Sequence, residues 1–192
     1  MKIGVLALQG GVIEHINHLK ALNCEAIEVK KAEELDDLDG IILPGGESTT
    51  MGKLLIRTGI LNKLRDKILN GFPVWGTCAG MILLAKNIEN DETRHLNVMD
   101  ITVKRNAYGS QLDSFETNKV ITEVSPQEIP LIFIRAPYIT HVNDSVTIMC
   151  KVGENIVAAI QANMLVTSFH PELSKILEFH KYFIGFCKKI KK

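Results

Sequence analysis

An open, mostly parallel α/β sheet with helices on both faces is the fold class this sequence predicts, and three observations carry the prediction. Short, continuously apolar runs of the kind buried on both faces of a parallel sheet alternate with stretches of helical periodicity. Glycine breaks follow those runs directly, at Gln9-Gly10-Gly11 and Pro44-Gly45-Gly46. A further run ends in Gly76-Thr77-Cys78-Ala79-Gly80 ahead of an apolar helix, the nucleophile-elbow pattern with cysteine in place of serine.

Ile3 to Leu8 reads as the first strand, and Val12 to Leu22 as a helix with its apolar stripe at Ile13, Ile16, Leu19 and Leu22. Glu25–Val29 and Gly40–Leu43 are further strands, with acidic Glu33 to Asp39 as a solvated connection. Thr49 to Ile56 and Ile60 to Leu69 read as helices, and Val74-Trp75 leads into the elbow. This order makes neighbouring parallel strands joined by right-handed crossovers, and ligands of such sheets gather at the carboxyl ends of the strands. Both Pro44-Gly45-Gly46 and the Cys78 turn lie at those ends.

The second half is richer in strands. Candidates are Val98 to Val103, Phe115 to Val124, Leu131 to Ile134, Val146 to Val152, Ile156 to Gln161 and Met164 to Phe169. The last two form a hairpin through Ala162-Asn163. Leu173 to Ile190 reads as a closing helix with Pro171 near its start, and Lys188 to Lys192 as a solvated basic end.

With 192 residues and no linker, repeat or low-complexity tract, one domain over 1–192 is expected. Lys+Arg and Asp+Glu both number 22, so no charge excess argues for nucleic acid or an anionic membrane. No apolar run approaches the roughly 18 residues of a membrane span. Cys24, Cys78, Cys150 and Cys187 lack the spacing of a disulfide framework, and no targeting segment is visible, so a cytoplasmic setting is expected.

At the elbow, Gly76 and Gly80 allow strand and helix to approach closely. Cys78 at the first turn of the helix would have its thiolate favoured by the helix dipole, and the Ala79 N–H would face a developing oxyanion. A thiol nucleophile needs a base and a group to orient it. His170 and Glu172 supply both types across Pro171, and in extended backbone residues two apart share a side. His15 and His18, three apart on the first helix, read as surface histidines without a third metal ligand. G-x-G-x-x-G and the Gly-Lys of a phosphate loop are both absent.

The elbow with a downstream His170-Pro171-Glu172 resembles the triad class of glutamine amidotransferases. Within it, Ile3 to Gly10, Leu43-Pro44-Gly45-Gly46-Glu47-Ser48-Thr49-Thr50, Arg105-Asn106-Ala107-Tyr108-Gly109, Ser114-Phe115-Glu116, Phe133-Ile134-Arg135-Ala136-Pro137 and Thr167 to Leu173 resemble the glutaminase-subunit family of pyridoxal 5'-phosphate synthases. The resemblance implies a flavodoxin-like, class I amidotransferase-like fold. It implies catalytic Cys78, His170 and Glu172, and an oxyanion hole from the backbone of Ala79 and Gly46. L-glutamine would be held by Gly46, Glu47, Ser48, Arg105, Ile134 and Arg135, with Arg105 the stronger candidate of the two arginines. It also implies hydrolysis through a γ-glutamyl thioester with no metal or organic cofactor, and ammonia passed to a barrel-shaped synthase subunit in a large hetero-oligomer. Gly11, Ser110 and Ser174-Lys175 depart from the family's usual residues at positions outside the triad. The alternatives are a glutaminase for another synthase, such as one of the histidine pathway, and a cysteine-bearing α/β stress protein. The latter usually has histidine directly after its cysteine, where this chain has Ala79.

Overall fold

A computed structural model describes residues 1–105 and 114–190 of the chain. Strands β1 (Lys2–Leu6), β2 (Glu25–Val29), β3 (Gly40–Leu43) and β4 (Val74–Thr77) alternate with helices α1 (Val12–Ala21), α2 (Ser48–Arg57) and α3 (Ile60–Leu69). Helix α4 (Ala79–Leu84) follows the elbow and runs straight into β5 (Ala85–Ile88). The second half contributes β6 (Met99–Lys104), β7 (Ser114–Ile121), β8 (Ser125–Ile134), β9 (Tyr138–Val142), β10 (Thr147–Val152), β11 (Asn155–Gln161) and β12 (Met164–Thr167). A 3₁₀ turn at Pro171–Leu173 and helix α5 (Glu178–Ile190) close the described chain.

The main sheet has ten strands in the order β2-β1-β3-β4-β12-β11-β9-β6-β5, with β10 also paired to β11. From β2 to β12 every pairing is parallel, which is the doubly wound part expected of the first half. Beyond β12 the pairings are antiparallel until β5 and β6 pair in parallel. β7 and β8 form a separate antiparallel hairpin. The chain thus supplies β12 late but inserts it beside β4, at the centre of the sheet.

Alternation along the strands divides the core into two layers. Val74, Ile41 and Leu43 face α2, α3 and α4 together with Met51, Leu55, Leu64 and Met81. Trp75, Ile42 and Val5 face the other way, against Ile16 and Leu19 of α1 and Phe179 and Phe183 of α5. Trp75 is fully buried, stacked at 5.9 Å on Phe179 and packed against Phe183. Phe169 joins this layer to the β7–β8 hairpin through an edge contact with Phe133.

Several expected boundaries move. The acidic connection after β2 is a 3₁₀ turn, Ala32–Leu35, whose Leu35 is buried with Leu38. The closing helix begins at Glu178 rather than Leu173, because Ser174 Oγ donates to the Pro171 and Ile176 carbonyls and accepts from the Ile176 N–H. These bonds hold a non-helical link between the 3₁₀ turn and α5. Strands β5 and β9 have no counterpart among the elements expected from the sequence. Asn106 to Gly109 of the Arg105 motif, and Lys191-Lys192, lie outside the described residues.

Candidate active site

The elbow has the expected form. Cys78 caps α4 with φ 48° and ψ −104°, a left-handed conformation rare for a residue with a side chain. Two close approaches fix it. A Cβ on Gly76 would lie 2.5 Å from the Gly80 carbonyl group, and one on Gly80 would run into the Leu43 carbonyl of β3. The Cys78 N–H donates to the Thr167 carbonyl at 2.8 Å, so the elbow is tied to the end of β12.

That tie brings His170 and Glu172 alongside. His170 comes after β12 and the intervening Ser168-Phe169, and its N–H donates to the Ile132 carbonyl of β8 at 2.8 Å. Glu172 sits in the 3₁₀ turn started by Pro171, so the pair meets through a tight turn and not through extended backbone as the spacing implied. His170 Nδ1 is 2.7 Å from Glu172 Oε1, which leaves Nε2 for the neighbouring Cys78. Burial alone would lower the His170 pKa. The hydrogen bonds to Cys78 and Glu172, with their charges, outweigh it and raise the value to about 10. Glu172 is almost wholly buried, and its Oε2 has no hydrogen-bond partner among the described residues.

These groups border a cavity of about 560 Å³, large enough for an amino acid, lined also by Gly45, Gly46, Glu47, Ser48, Ala79 and Ile82. Gly45 packs against the His170 ring and Cys78 so closely that a side chain there would displace the imidazole. The glycine loop is held from behind: the Gly45 carbonyl accepts from the Gly11 N–H at 3.1 Å, and the Glu47 N–H donates to Gln9 Oε1 at 2.7 Å.

The remaining expected residues reach the same cavity with different commitments. The Glu47 carboxylate caps α2, accepting from the Thr49 and Thr50 N–H groups and from Thr50 Oγ1. The Thr50 hydroxyl bond leads in holding its pKa down at about 2, against the cost of burial. Arg105 lines the cavity but already pairs with Asp91 Oδ2 at 3.0 Å. Ile134 and Arg135 are exposed at the rim, and Arg135 has φ 42° and no ion pair among the described residues. The arginine favoured by the sequence is therefore engaged, and the other is available.

His15 and His18 correct the surface reading. His15 is fully buried behind the triad, its Nε2 3.5 Å from Glu172 Oε2, and His18 is half-buried. Periodicity puts Ile13 on the buried stripe of α1, whereas Ile13 is 59% exposed and His15 faces the sheet. The available signal is that His15 lies beside Ile16 and four residues before Leu19, on the side the helix buries. Among the described residues no cluster of three or more His, Cys, Asp or Glu side chains is arranged to hold a metal.

A cysteine at an elbow, with a histidine and a buried glutamate in the turn after the adjacent parallel strand, is the arrangement implied by the resemblance to triad-class α/β amidotransferases. The chain belongs to the SNO glutamine amidotransferase family, whose model matches residues 5–189. It is 60% identical over 184 residues to the pyridoxal 5'-phosphate synthase subunit PdxT of Clostridium beijerinckii, covering 96% of this chain and 97% of that one. The PdxT of Clostridium kluyveri is 58% identical over 188 residues, covering 98% and 100%. Among solved structures, a glutamine amidotransferase crystal structure at 40% identity superposes with a TM-score of 0.92 over 97% of this chain and 98% of its own.

Proposed function

We propose that this chain hydrolyses L-glutamine to L-glutamate and ammonia, with Cys78 as nucleophile, His170 as acid and base, and Glu172 as the group that orients it. Full-length similarity to PdxT proteins supports glutaminase chemistry in the service of pyridoxal 5'-phosphate synthesis. The observation that carries the site assignment is His170, held by Glu172 Oε1 at 2.7 Å, standing with the elbow Cys78 against Gly45 in the lining of one cavity.

In this reading His170 takes the Cys78 proton, and its pKa of about 10 keeps it as imidazolium while sulfur attacks the side-chain amide carbon of glutamine. The oxyanion is received by the backbone N–H groups of Ala79 and Gly46. His170 protonates the departing ammonia and leaves a γ-glutamyl thioester. It then takes a proton from water as the hydroxyl adds, and collapse to glutamate returns the thiol. Gly46, Glu47 and Ser48 line the substrate, with Ile134 beside it. Arg105 or Arg135 forks onto the α-carboxylate, and Arg135, without an ion pair among the described residues, is the better placed.

The ammonia goes to a barrel-shaped synthase subunit, a partner supported by the similarity of this chain to proteins that are themselves synthase subunits. A cytoplasmic site of action fits Cys24, Cys78 and Cys150, which form no disulfide. No described helix is long and apolar enough to cross a membrane. Glutamate release from glutamine, measured with and without the synthase subunit and beside Cys78→Ala, tests the whole reading. Activity raised by the synthase and abolished in the variant is expected. Activity indifferent to the synthase would break the pathway assignment, and activity surviving in Cys78→Ala would break the mechanism.

A further inference from the structure

Behind Glu172 the fold builds a second line of imidazoles that the triad does not use. His15 Nε2 stands 3.5 Å from Glu172 Oε2 and 3.4 Å from Thr77 Oγ1. His15 Nδ1 is 2.8 Å from His180 Nε2, and His180 Nδ1 is 3.2 Å from His18 Nδ1. His15 and His180 are both fully buried, packed edge-on against Trp75 at 5.7 and 5.0 Å. A continuous chain of polar side chains therefore runs from His170 through Glu172, His15 and His180 to half-buried His18.

We propose that His15 is a positioning residue of the triad: its Nε2–H holds the outer oxygen of Glu172, and His180 and His18 select the tautomer that makes this possible. The proposal deepens the glutaminase reading and rests on it.

Each neutral imidazole has one N–H and one lone pair, so a chain of them can point in only two directions. Burial, with the charges of His180, His18 and His170, holds the His15 pKa well below its usual value. Burial and then the His18 charge bring His180 down to about 3. Both rings are neutral near pH 7. In one direction His18 Nδ1–H donates to His180 Nδ1, His180 Nε2–H donates to His15 Nδ1, and His15 Nε2–H is aimed at Glu172 and Thr77. In the other direction the bare Nε2 lone pair of His15 faces the carboxylate in a dry interior, which is costly for both groups. The first direction also supplies the donor that Glu172 Oε2 otherwise lacks.

The groups around this line agree with that polarity. His15 is faced by Thr77 from β4, His180 from α5, His18 from its own helix, and Glu172 and His170 from the turn after β12. His18 also reaches the Ser174 carbonyl. Burial lowers the His18 pKa, and the Glu172 charge and the Ser174 carbonyl offset only part of that effect. Pinned by His15 at Oε2, Glu172 cannot rotate its Oε1 away from His170 Nδ1.

The test compares His15→Leu, which fills the space without a donor, with His15→Gln, which places an N–H near the Nε2 position. The His170 pKa is read by NMR titration of the lone full-length chain, and kcat and KM for glutamine are read in the presence of the synthase. Cys78 and Glu172 are the side chains that act on His170, and both stay in place. For His15→Leu the His170 pKa should fall from about 10 by at least about one unit as Glu172 loosens. kcat should drop by about 10- to 100-fold with KM within about two-fold, and His15→Gln should recover most of both. Unchanged titration and kcat in His15→Leu, or a Gln variant as impaired as the Leu variant, would overturn the proposal. Should His15→Leu not fold, His180→Phe keeps a ring against Trp75, removes the N–H that sets the tautomer, and is judged by the same readouts. An inactive parental complex would count against the glutaminase reading, while the His170 titration would still decide the role of His15.

Discussion

Gly76→Ala tests whether the closeness of β4 and α4 is what places Cys78. A Cβ on Gly76 lies 2.5 Å from the Gly80 carbonyl carbon and oxygen and 2.7 Å from the Met81 nitrogen. All three are backbone atoms of the first turn of α4, so no rotamer change relieves the contact. Ordinary separation requires the helix start to back away by about 1 Å, and a misplacement of that size at a reacting group costs about 10²-fold in rate. Overpacking of this kind costs about 1–3 kcal/mol, which for a chain of this length lowers Tm by roughly 2–12 °C. Thermal denaturation followed by glutamate release with the synthase measures both effects. Gly153→Ala is the control. Gly153 has φ +58°, and a Cβ added there meets nothing within 4 Å, so the substitution adds only backbone strain of about 1 kcal/mol, far from the cavity. It should lower Tm and leave kcat intact. A Gly76→Ala protein with kcat within about two-fold of the parent would refute the packing account of the elbow.

Three further outcomes follow from the site. The raised His170 pKa contributes stability that is fully present below pH 6.5 and lost as pH rises through about 10. The gap in urea stability between the parent and Glu172→Gln should therefore shrink across that window, and a gap that widens with pH would contradict the assignment. Glu47→Ala removes the α2 cap and should cost about 0.5–2 kcal/mol near neutral pH. Its carboxylate pKa is lowered to about 2, so this contribution is present above pH 4.5 and lost as pH falls through about 2, readable by acid denaturation. Arg135→Ala should raise KM for glutamine by about tenfold, the value of one charged hydrogen-bonded contact, with kcat nearly unchanged. An unaltered KM would return the carboxylate to Arg105.

What the sequence made legible was whatever depends on strong local pattern. Continuous apolar runs located β1, β3, β4 and β11, and the paired glycines around Cys78 located the elbow, because no other residue fits against the Leu43 carbonyl at Gly80. β5 and β9 were not legible. Ala85–Ile88 carries Lys86 and Asn87 and takes its strand form from pairing with β6, while Tyr138–Val142 has an exposed Thr140 and His141 that dilute any apolar pattern. His15 was misread for a related reason. Its burial depends on Trp75, Glu172 and His180, none of them near it in sequence, and a histidine beside an apolar stripe gives no local sign of which way the helix turns. Glu47 and Arg105 were legible as residues of the cavity. Their capping and ion-pair commitments were not, since Asp91 and the α2 N-terminus become their partners only in the folded chain.

The distance between Cys78 and His170 is a matter of strand register. Cys78 leaves β4 and His170 leaves β12, and the two strands pair in parallel with Gly76 opposite Val166 and Thr77 opposite Thr167. A slip of one residue would carry His170 about 3.3 Å along the sheet and turn every side chain of the slipped strand to the other face. The sequence forbids that slip through two neighbours of opposite size. Trp75 fills the layer under α1 and α5, and Gly76 must face α4, where even a methyl group meets backbone. Exchanging their faces would drive an indole into the elbow and leave a void against Phe179 and Phe183. Trp75 Nε1–H also donates to Thr167 Oγ1 at 3.2 Å, a bond made across the two strands in this register. The tryptophan is therefore as much a determinant of how Cys78 and His170 meet as the elbow itself.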